Sequence, residues 1–225
     1  MRKSNLHLNK SYLLGLGFLW ILSACAPSGE KTSRVDQLPF YNEATFTPHW
    51  LSPSSAALDT FHKIAPFSFT DQNGLVVNEE TVEGKIYVTD FFFTTCPGIC
   101  PKMTANMTLV QEAFLDDPNV LILSHSVTPN KDSTEVLAAY ASEHGVQSNK
   151  WLLLTGDRQE IYTMGREQYF VEEDLGLERS PNEFLHTENF VLIDQNRHIR
   201  GIYNGLNKGS VQQLIADIRT LKANG

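Results

Sequence analysis

The sequence predicts an α/β domain with a partly parallel sheet flanked by helices. Short apolar runs, typical of buried strands, alternate along the chain with segments whose apolar residues recur at helical spacing. This alternation favours a sheet whose neighbouring strands are joined by helical crossovers. The longest apolar run, residues 86–93, predicts a central strand, because a strand covered on both faces needs apolar residues at nearly every position.

The predicted elements begin with a hairpin and then alternate. Residues 67–70 and 75–77 flank Asp71-Gln72-Asn73-Gly74, in which the Asn-Gly pair indicates a tight turn between antiparallel strands. Further strands are predicted at residues 86–93, 120–127, 151–154, 190–193 and 199–203. Helices are predicted at residues 103–115, from the N-cap Ser133 to Gly145, at 157–168 and at 210–221.

The N-terminus predicts export to the cell envelope. Residues 1–10 carry three cations and no anion, and the apolar run 11–22 is too short to span a bilayer comfortably. The small residues that follow, and then Cys25, resemble a bacterial lipobox. We therefore predict a lipoprotein signal peptide over residues 1–24 and a lipid on Cys25, with an ordinary secretory signal as the alternative. The lipid would anchor the chain to a bacterial membrane, with its domain on the exported, periplasmic side.

The mature chain is predicted to consist of a tether and one domain. Residues 25–36 are polar and predict a flexible tether, and residues 37–225 predict the domain. Residues 38–57 combine prolines with aromatic side chains and are expected to lie extended along the domain surface. Removal of the signal peptide takes away three Lys or Arg and no Asp or Glu, so the formal net charge falls from −8 to −11. An exported chain this acidic is not expected to bind nucleic acid.

The other two cysteines, Cys96 and Cys100, fall between a predicted strand and a predicted helix. The unpaired N–H groups and the dipole of a helix N-terminus lower the pKa of a thiol there. Thiolates are nucleophiles in disulfide exchange and soft ligands for Cu(I) or Zn(II). Three residues separate the two cysteines, one more than in the Cys-x-x-Cys pair of redox disulfides, and this wider spacing favours metal binding. A static disulfide is the plainer alternative.

Three segments of the chain resemble the SCO/SenC family of copper chaperones. They are Phe93-Thr94-Thr95-Cys96-Pro97-Gly98-Ile99-Cys100-Pro101, then Trp151-Leu152-Leu153-Leu154-Thr155-Gly156, and then Phe184-Leu185-His186 ahead of Phe190-Val191-Leu192-Ile193-Asp194. The resemblance extends from about residue 66 to about residue 221. It implies a thioredoxin-like fold, in which helices flank a central mixed sheet, with an N-terminal extension.

The same resemblance implies a membrane-anchored metallochaperone. It implies that Cys96, Cys100 and His186 bind copper as Cu(I), which two thiolates and an imidazole suit because this soft ion accepts low coordination. It also implies delivery of the copper to the binuclear CuA site of cytochrome c oxidase subunit II, or to another cuproprotein.

A thiol–disulfide oxidoreductase is the alternative function, with Cys96 and Cys100 as a redox pair acting on the cysteines of exported proteins. Thioredoxin-like reductases resemble one another in carrying a proline just before the strand that faces the cysteine pair. Here that stretch reads His186-Thr187-Glu188-Asn189, which favours metal binding over a substrate disulfide. A peroxidase of this fold would need an arginine beside the cysteine motif, and none flanks it.

The remaining histidines have plainer interpretations. His125 is expected to pack within the sheet or at its edge rather than to bind a metal, because it shares a strand face with apolar residues. His49, His62, His144 and His198 are expected to be solvated.

Two acidic residues also need an interpretation. Asp90 interrupts the apolar run of the predicted central strand, where a buried carboxyl could relay protons to the thiols. The favoured expectation is that it reaches solvent or a backbone donor at a sheet edge. Asp132 follows Thr128-Pro129, where related family members usually show Asp-Pro, and this departure puts a role of Asp132 in metal or partner handling in doubt.

Overall fold

The computed structural model of the chain describes residues 32–171 and 187–224. Its strands are β1 (Ser68–Thr70), β2 (Val76–Asn78), β3 (Ile86–Phe92), β4 (Val120–Ser126), β5 (Trp151–Leu154), β6 (Asn189–Ile193) and β7 (Ile199–Asn204). Its α-helices are α1 (Cys100–Ala113), α2 (Thr134–His144), α3 (Arg158–Thr163) and α4 (Lys208–Asn224). A 3₁₀ helix spans Ala56–Thr60 and a π-helix spans Met164–Gln168. None of the helices in these two ranges has the combination of length and apolar character needed to cross a bilayer.

A five-stranded mixed sheet lies at the centre, in the order β5-β4-β3-β6-β7. β3, β4 and β5 are parallel neighbours, and β6 and β7 complete the sheet as antiparallel strands. β1 and β2 form the predicted hairpin, with Gly74 at a φ of 76° in its turn. The α/β class and the predicted strands are therefore confirmed to within a residue or two.

β3 is central because both of its faces are covered, and all seven of its residues are buried. Val88 and Phe92 point to the layer that contains α1, α2 and α4. Tyr87 and Phe91 point to the opposite layer, which contains the hairpin and α3. Side chains alternate across a strand, so Asp90, which lies between Val88 and Phe92, faces the same layer as they do. The carboxyl end of β3 therefore leads into α1 from a position between two apolar layers.

Three helices differ from the sequence prediction, α4 only in being longer at both ends than residues 210–221. α1 begins at Cys100, three residues earlier than expected, because Pro101 occupies the first turn, where a missing N–H costs nothing. The helix predicted over residues 157–168 is instead α3, capped by Asp157, followed directly by the π-helix. The widened turn is closed by the N–H of Tyr169, which donates to the carbonyl of Met164 at 2.9 Å.

The N-terminal extension is held by Arg200 of β7, a buried side chain. Its guanidinium donates to the carbonyl oxygens of Leu38 at 2.6 Å and Pro39 at 2.9 Å, and to the Asp194 carboxylate at 3.0 Å. It also lies 3.7 Å from the ring centroid of Phe40. Leu38 and Phe40 are themselves buried, so this part of the extension packs into the domain rather than only lying along its surface.

The expectation that His198 is solvated is wrong. The N-terminal extension covers it, so only 2% of its surface is exposed, and its Nδ1 lies 2.8 Å from the carbonyl oxygen of His62. Its ring meets that of Phe40 edge to face. Burial lowers the pKa of His198, because a charged imidazolium would lose hydration there. His49, His62 and His144 are half-buried rather than fully solvated.

We predict that Arg200→Met lowers the free energy of unfolding by about 3 kcal/mol or more, because it leaves the buried Asp194 carboxylate without its cation. Residues 38–40 should then become more accessible to protease. Lys208→Met, which removes an exposed cation, is the control and should unfold like the parent. Urea unfolding and limited proteolysis measure both effects, and parental behaviour of Arg200→Met would show that Arg200 does not hold the extension.

Candidate functional site

The structure brings Cys96 and Cys100 together at the junction of β3 and α1. Cys100 is the first residue of α1 and is buried, whereas Cys96 lies in the preceding loop and is half-buried. Both thiols are free, and they lie close enough for each to shift the pKa of the other. The Cys96 N–H donates to the carbonyl of Phe93 at 3.3 Å, which turns the chain back toward the helix. One ion or one electrophile can therefore reach both sulfurs.

The environment of the Cys96 sulfur favours its thiolate. Partial burial raises the pKa of this thiol, but hydrogen bonds outweigh the burial and bring the pKa below the usual value of 9.0. These bonds come from the Cys100 thiol and from the backbone of Gly98, Ile99 and Cys100. The N-cap residue Ile99 supplies no side-chain hydrogen bond to this helix start. Cys96 is the more readily ionised and the more accessible thiol of the pair.

The Cys100 thiol behaves in the opposite way. Burial, together with the neighbouring Cys96 thiol, raises the pKa of Cys100 to about 12, against the opposing effect of the Phe93 backbone. The negative charges of Cys96 and Asp90 act in the same direction. The pair therefore retains a proton near neutral pH, and a cation that binds both sulfurs must displace it.

Asp90 is buried beneath this pair, so the expectation that it reaches solvent at a sheet edge is wrong. Its carboxyl accepts a hydrogen bond from the Ser124 hydroxyl on the neighbouring strand. The Ser124 hydroxyl oxygen in turn accepts a hydrogen bond from Trp151 Nε1 at 2.7 Å. Burial raises the pKa of Asp90 to about 7, against the opposing effect of the Ser124 bond. A carboxyl that titrates near neutrality lies on the α1 side of the sheet.

Sequence reasoning missed the carboxylate that contacts the cysteine loop directly, which is Asp132. It is completely buried and binds the Thr94 hydroxyl at 2.6 Å and the Ser126 hydroxyl at 2.5 Å. The available signal was the concentration of Ser and Thr at the ends of two neighbouring strands. Hydroxyl groups that cluster where parallel strands end need an acceptor, and Asp132 is the acidic residue nearest along the chain to Ser126 and Thr128.

His125 is a packed residue, as predicted. It is completely buried on the face of the sheet opposite to the cysteines, stacked on Phe91 with a centroid distance of 5.0 Å. Phe69 and Tyr169 enclose it further. Burial lowers the pKa of His125 to about 3, and neither ring nitrogen has a hydrogen-bond partner among the residues that the structure describes. It is therefore a neutral ring in an aromatic cluster.

The predicted ligand His186 and the predicted lipid attachment site Cys25 lie outside the described residues. Within residues 32–171 and 187–224, no three His, Cys, Asp or Glu side chains come together as a metal site. β6 runs antiparallel to β3, with Val191 opposite Thr89, so its first residue Asn189 lies toward the end of β3 that leads to Cys96. The described part of the site therefore supplies two sulfur ligands.

The chain that leads into β6 is tied to α1 through Gly205. The Gly205 N–H donates to the Glu188 carbonyl at 2.7 Å, and the Gly205 carbonyl accepts from Asn106 Nδ2 at 2.6 Å. A Cβ on Gly205 would lie 2.6 Å from a ring carbon of Phe190, so only glycine fits. The start of β6 is therefore fixed relative to the helix that carries Cys100.

Residues 55–223 match the protein family described as SCO1/SenC. This chain belongs to the SCO1/SenC family. The match includes both cysteines of the loop and every strand of the central sheet.

Solved structures of Sco proteins superpose on most of the chain. A SCO1/SenC family lipoprotein from Bacillus anthracis is 30% identical, with a TM-score of 0.63 over 72% of this chain and 95% of that one. BsSco, a member of the Sco family of cytochrome c oxidase assembly proteins with an identified disulfide switch, is 28% identical, with a TM-score of 0.61 over 72% and 94%. Copper-bound ScoI from Bradyrhizobium japonicum is 25% identical, with a TM-score of 0.55 over 70% and 98%. These likenesses confirm the thioredoxin-like fold.

The structure also explains one segment of the family resemblance. Thr155 forms an isolated bridge with Thr70 and thereby joins the hairpin to the end of β5. A Cβ on the next residue, Gly156, would lie 2.8 Å from the Phe69 ring, so a larger residue would push the hairpin away. Thr155-Gly156 therefore serves packing on the face opposite to the cysteines.

We predict that Asp90→Asn stabilises the protein increasingly as the pH rises from 4 to 7. The folded-state pKa of Asp90 is raised from 3.8 to about 7, so in this window the unfolded chain ionises Asp90 while the folded chain does not. The parent therefore loses stability as the pH rises, by an amount on the order of 4 kcal/mol across the window. The asparagine variant has no such loss.

Urea unfolding of parent and variant at several pH values measures this difference. The lowered pKa of His125 makes stability rise with pH, but it does so in both proteins and cancels from the difference. Asp59→Asn, at an exposed position, is the matched control. A difference between Asp90→Asn and parent that stays constant from pH 4 to 7 would contradict a carboxyl kept neutral by burial.

Proposed function

We propose that this chain is a membrane-anchored metallochaperone that binds one Cu(I) through Cys96, Cys100 and His186. We further propose that it delivers the copper to the CuA site of cytochrome c oxidase subunit II or to another cuproprotein. The single observation that carries the proposal is the pair of free, neighbouring thiols at the N-terminus of α1. Copper bound to a Sco relative and the role of BsSco's family in oxidase assembly support it.

The two sulfurs divide the work of binding and release. Cys96 is the accessible, more acidic thiol, so it is the group that first meets an incoming copper ion. The proton retained at Cys100 leaves when the ion bridges both sulfurs, because the cation replaces it between them. Since Cys100 is buried, a ligand of the recipient protein approaches the copper from the Cys96 side. The buried sulfur therefore keeps hold of the ion until the recipient has begun to bind it.

We predict that the purified, reduced chain binds one Cu(I) per molecule under anaerobic conditions. Cys96→Ser and Cys100→Ser should each abolish tight binding, because a two-sulfur site needs both thiolates. His186→Ala should lower the affinity by about 10–100-fold or more, since even the loss of a residue that supports a ligand has an effect of that size. Titration against a competing Cu(I) chelator measures this. Binding near zero in fully reduced protein would end the chaperone proposal.

A thiol–disulfide oxidoreductase is the second candidate, and the asymmetry of the two thiols favours it. A lowered pKa at the accessible Cys96 and a raised pKa at the buried Cys100 suit an attacking and a resolving thiol. In that reaction the Cys96 thiolate attacks one sulfur of a substrate disulfide and releases the other as a thiol. Cys100 then attacks the mixed disulfide, which leaves an oxidised Cys96–Cys100 pair and a reduced substrate.

His186→Ala separates the two functions. Disulfide exchange uses no imidazole ligand, so the variant should keep the parental rate of reduction of a model disulfide while losing Cu(I) affinity. In cells that depend on this chain for oxidase assembly, the variant should then assemble less active oxidase. Normal assembly together with normal Cu(I) affinity in His186→Ala would favour the oxidoreductase.

Attachment to the membrane through a lipid on Cys25 is also proposed, with the domain on the exported side. The lipobox-like sequence and the lipoprotein relative from Bacillus anthracis support it. Cys25→Ser should accumulate as an unprocessed precursor or be released from membranes, which cell fractionation detects. Processing and membrane association of this variant at parental levels would contradict the proposal.

A further inference from the structure

The Asp132 carboxylate joins the cysteine loop to the end of β4. Its Oδ1 accepts from the Thr94 hydroxyl at 2.6 Å, and its Oδ2 lies 3.3 Å from the Thr94 backbone nitrogen, which donates to it. Oδ2 also accepts from the hydroxyls of Ser126 at 2.5 Å and Thr128 at 3.0 Å. Four donors from two chain segments thus converge on one completely buried carboxylate.

This contact lies between the last hydrogen bond of the strand ladder and the first hydrogen bond of α1. The ladder between β3 and β4 ends with the Val127 N–H, which donates to the Phe92 carbonyl at 2.8 Å. Helical hydrogen bonding begins at Ile99, whose carbonyl accepts from Met103 at 3.0 Å. Between these points, Thr94 is bound to Asp132 through both its backbone nitrogen and its side chain, and it lies two positions before Cys96.

We infer that Asp132 is a positioning residue, which sets the placement of the Cys96 sulfur against Cys100 by holding Thr94. This inference rests on the proposed function, in which both sulfurs bind one copper ion. The Asp132 carboxylate makes no contact with either sulfur among its hydrogen bonds, so it acts through the loop. A loop released from Thr94 would hold the sulfurs in a range of separations, which weakens any ligand that needs both.

The Asp132 carboxyl group accepts four hydrogen bonds, one at Oδ1 and three at Oδ2. Asparagine keeps the shape but puts an NH₂ group in place of one oxygen. At Oδ2 this group would face the Thr94 N–H, which cannot accept, and at Oδ1 it would reverse the bond from the Thr94 hydroxyl. Leaving a buried donor unsatisfied costs about 1–3 kcal/mol, so the loop would move rather than remain in place. Asp132→Asn is therefore a sharp perturbation with little change of volume.

The chain offers matched variants on the two sides of the carboxylate. Thr94→Val removes the hydroxyl bond on the cysteine-loop side, and Thr94→Ser retains it. Thr128→Val removes a hydroxyl bond to the same carboxylate on the β4 side and leaves Thr94 untouched. If positioning is the role, Thr94→Val and Asp132→Asn should each lower Cu(I) affinity by about 10–100-fold. Thr94→Ser should keep the parental affinity, and Thr128→Val should lower it less than Thr94→Val does, because the bonds between Thr94 and Asp132 remain.

Three measurements on the full chain test the inference: Cu(I) affinity by chelator competition, the rate of Cys96 alkylation, and the free energy of unfolding. Asp132→Asn and Thr94→Val should change the affinity and the alkylation rate together, and the double variant should lose little more than either single one. Parental affinity and alkylation in these variants, with only the unfolding free energy reduced, would overturn the inference. So would equal losses in Thr128→Val and Thr94→Val.

Failure of the proposed function gives a different result. If the parent binds no Cu(I), the chaperone proposal fails, while the alkylation rate and the midpoint potential of the Cys96–Cys100 pair still report on loop placement. Changes of both in Asp132→Asn and Thr94→Val that are larger than those in Thr128→Val would support positioning without copper. Parental values in all variants would overturn it.

Discussion

The proximity of the Cys96 and Cys100 sulfur atoms at the start of α1 is the constraint on which the rest of the site depends. It requires one sulfur at the first residue of α1 and the other in the loop before it, and the fold supplies both. A fully buried β3 fixes the start of that loop, and Pro101 allows the helix to begin at Cys100. The site is therefore a consequence of how one strand ends and one helix begins.

Two buried carboxyl groups near this junction, Asp132 and Asp90, have different numbers of hydrogen-bond partners. Asp132 accepts four hydrogen bonds, which replace the hydration that burial removes. Asp90 accepts one from Ser124, and burial raises its pKa to about 7. The first suits a permanent structural role in the cysteine loop, whereas the second can change its protonation near neutral pH. Two aspartates thus serve different purposes near the ends of β3 and β4.

Local signals in the sequence predicted most of the fold and the cysteine pair, since apolar runs, an Asn-Gly turn and an N-cap serine each act over a few residues. The π-helix after α3 was not predictable, because an α-helical pattern of apolar residues does not show a widened turn. The contact of Asp132 with Thr94 joins positions 38 apart, and the burial of His198 needs the N-terminal extension. Both depend on tertiary structure, which spacing along the chain does not encode. His186 and Cys25 remain predictions.

The most direct test of the central claim is X-ray absorption spectroscopy at the copper edge of the reduced, Cu(I)-loaded chain. The account predicts Cu(I) bound by two sulfur ligands and one imidazole nitrogen, and loss of the nitrogen signal alone in His186→Ala. Copper with a single sulfur ligand, or a spectrum that Cys100→Ser leaves unchanged, would contradict the claim that the paired thiols at the start of α1 form the metal site.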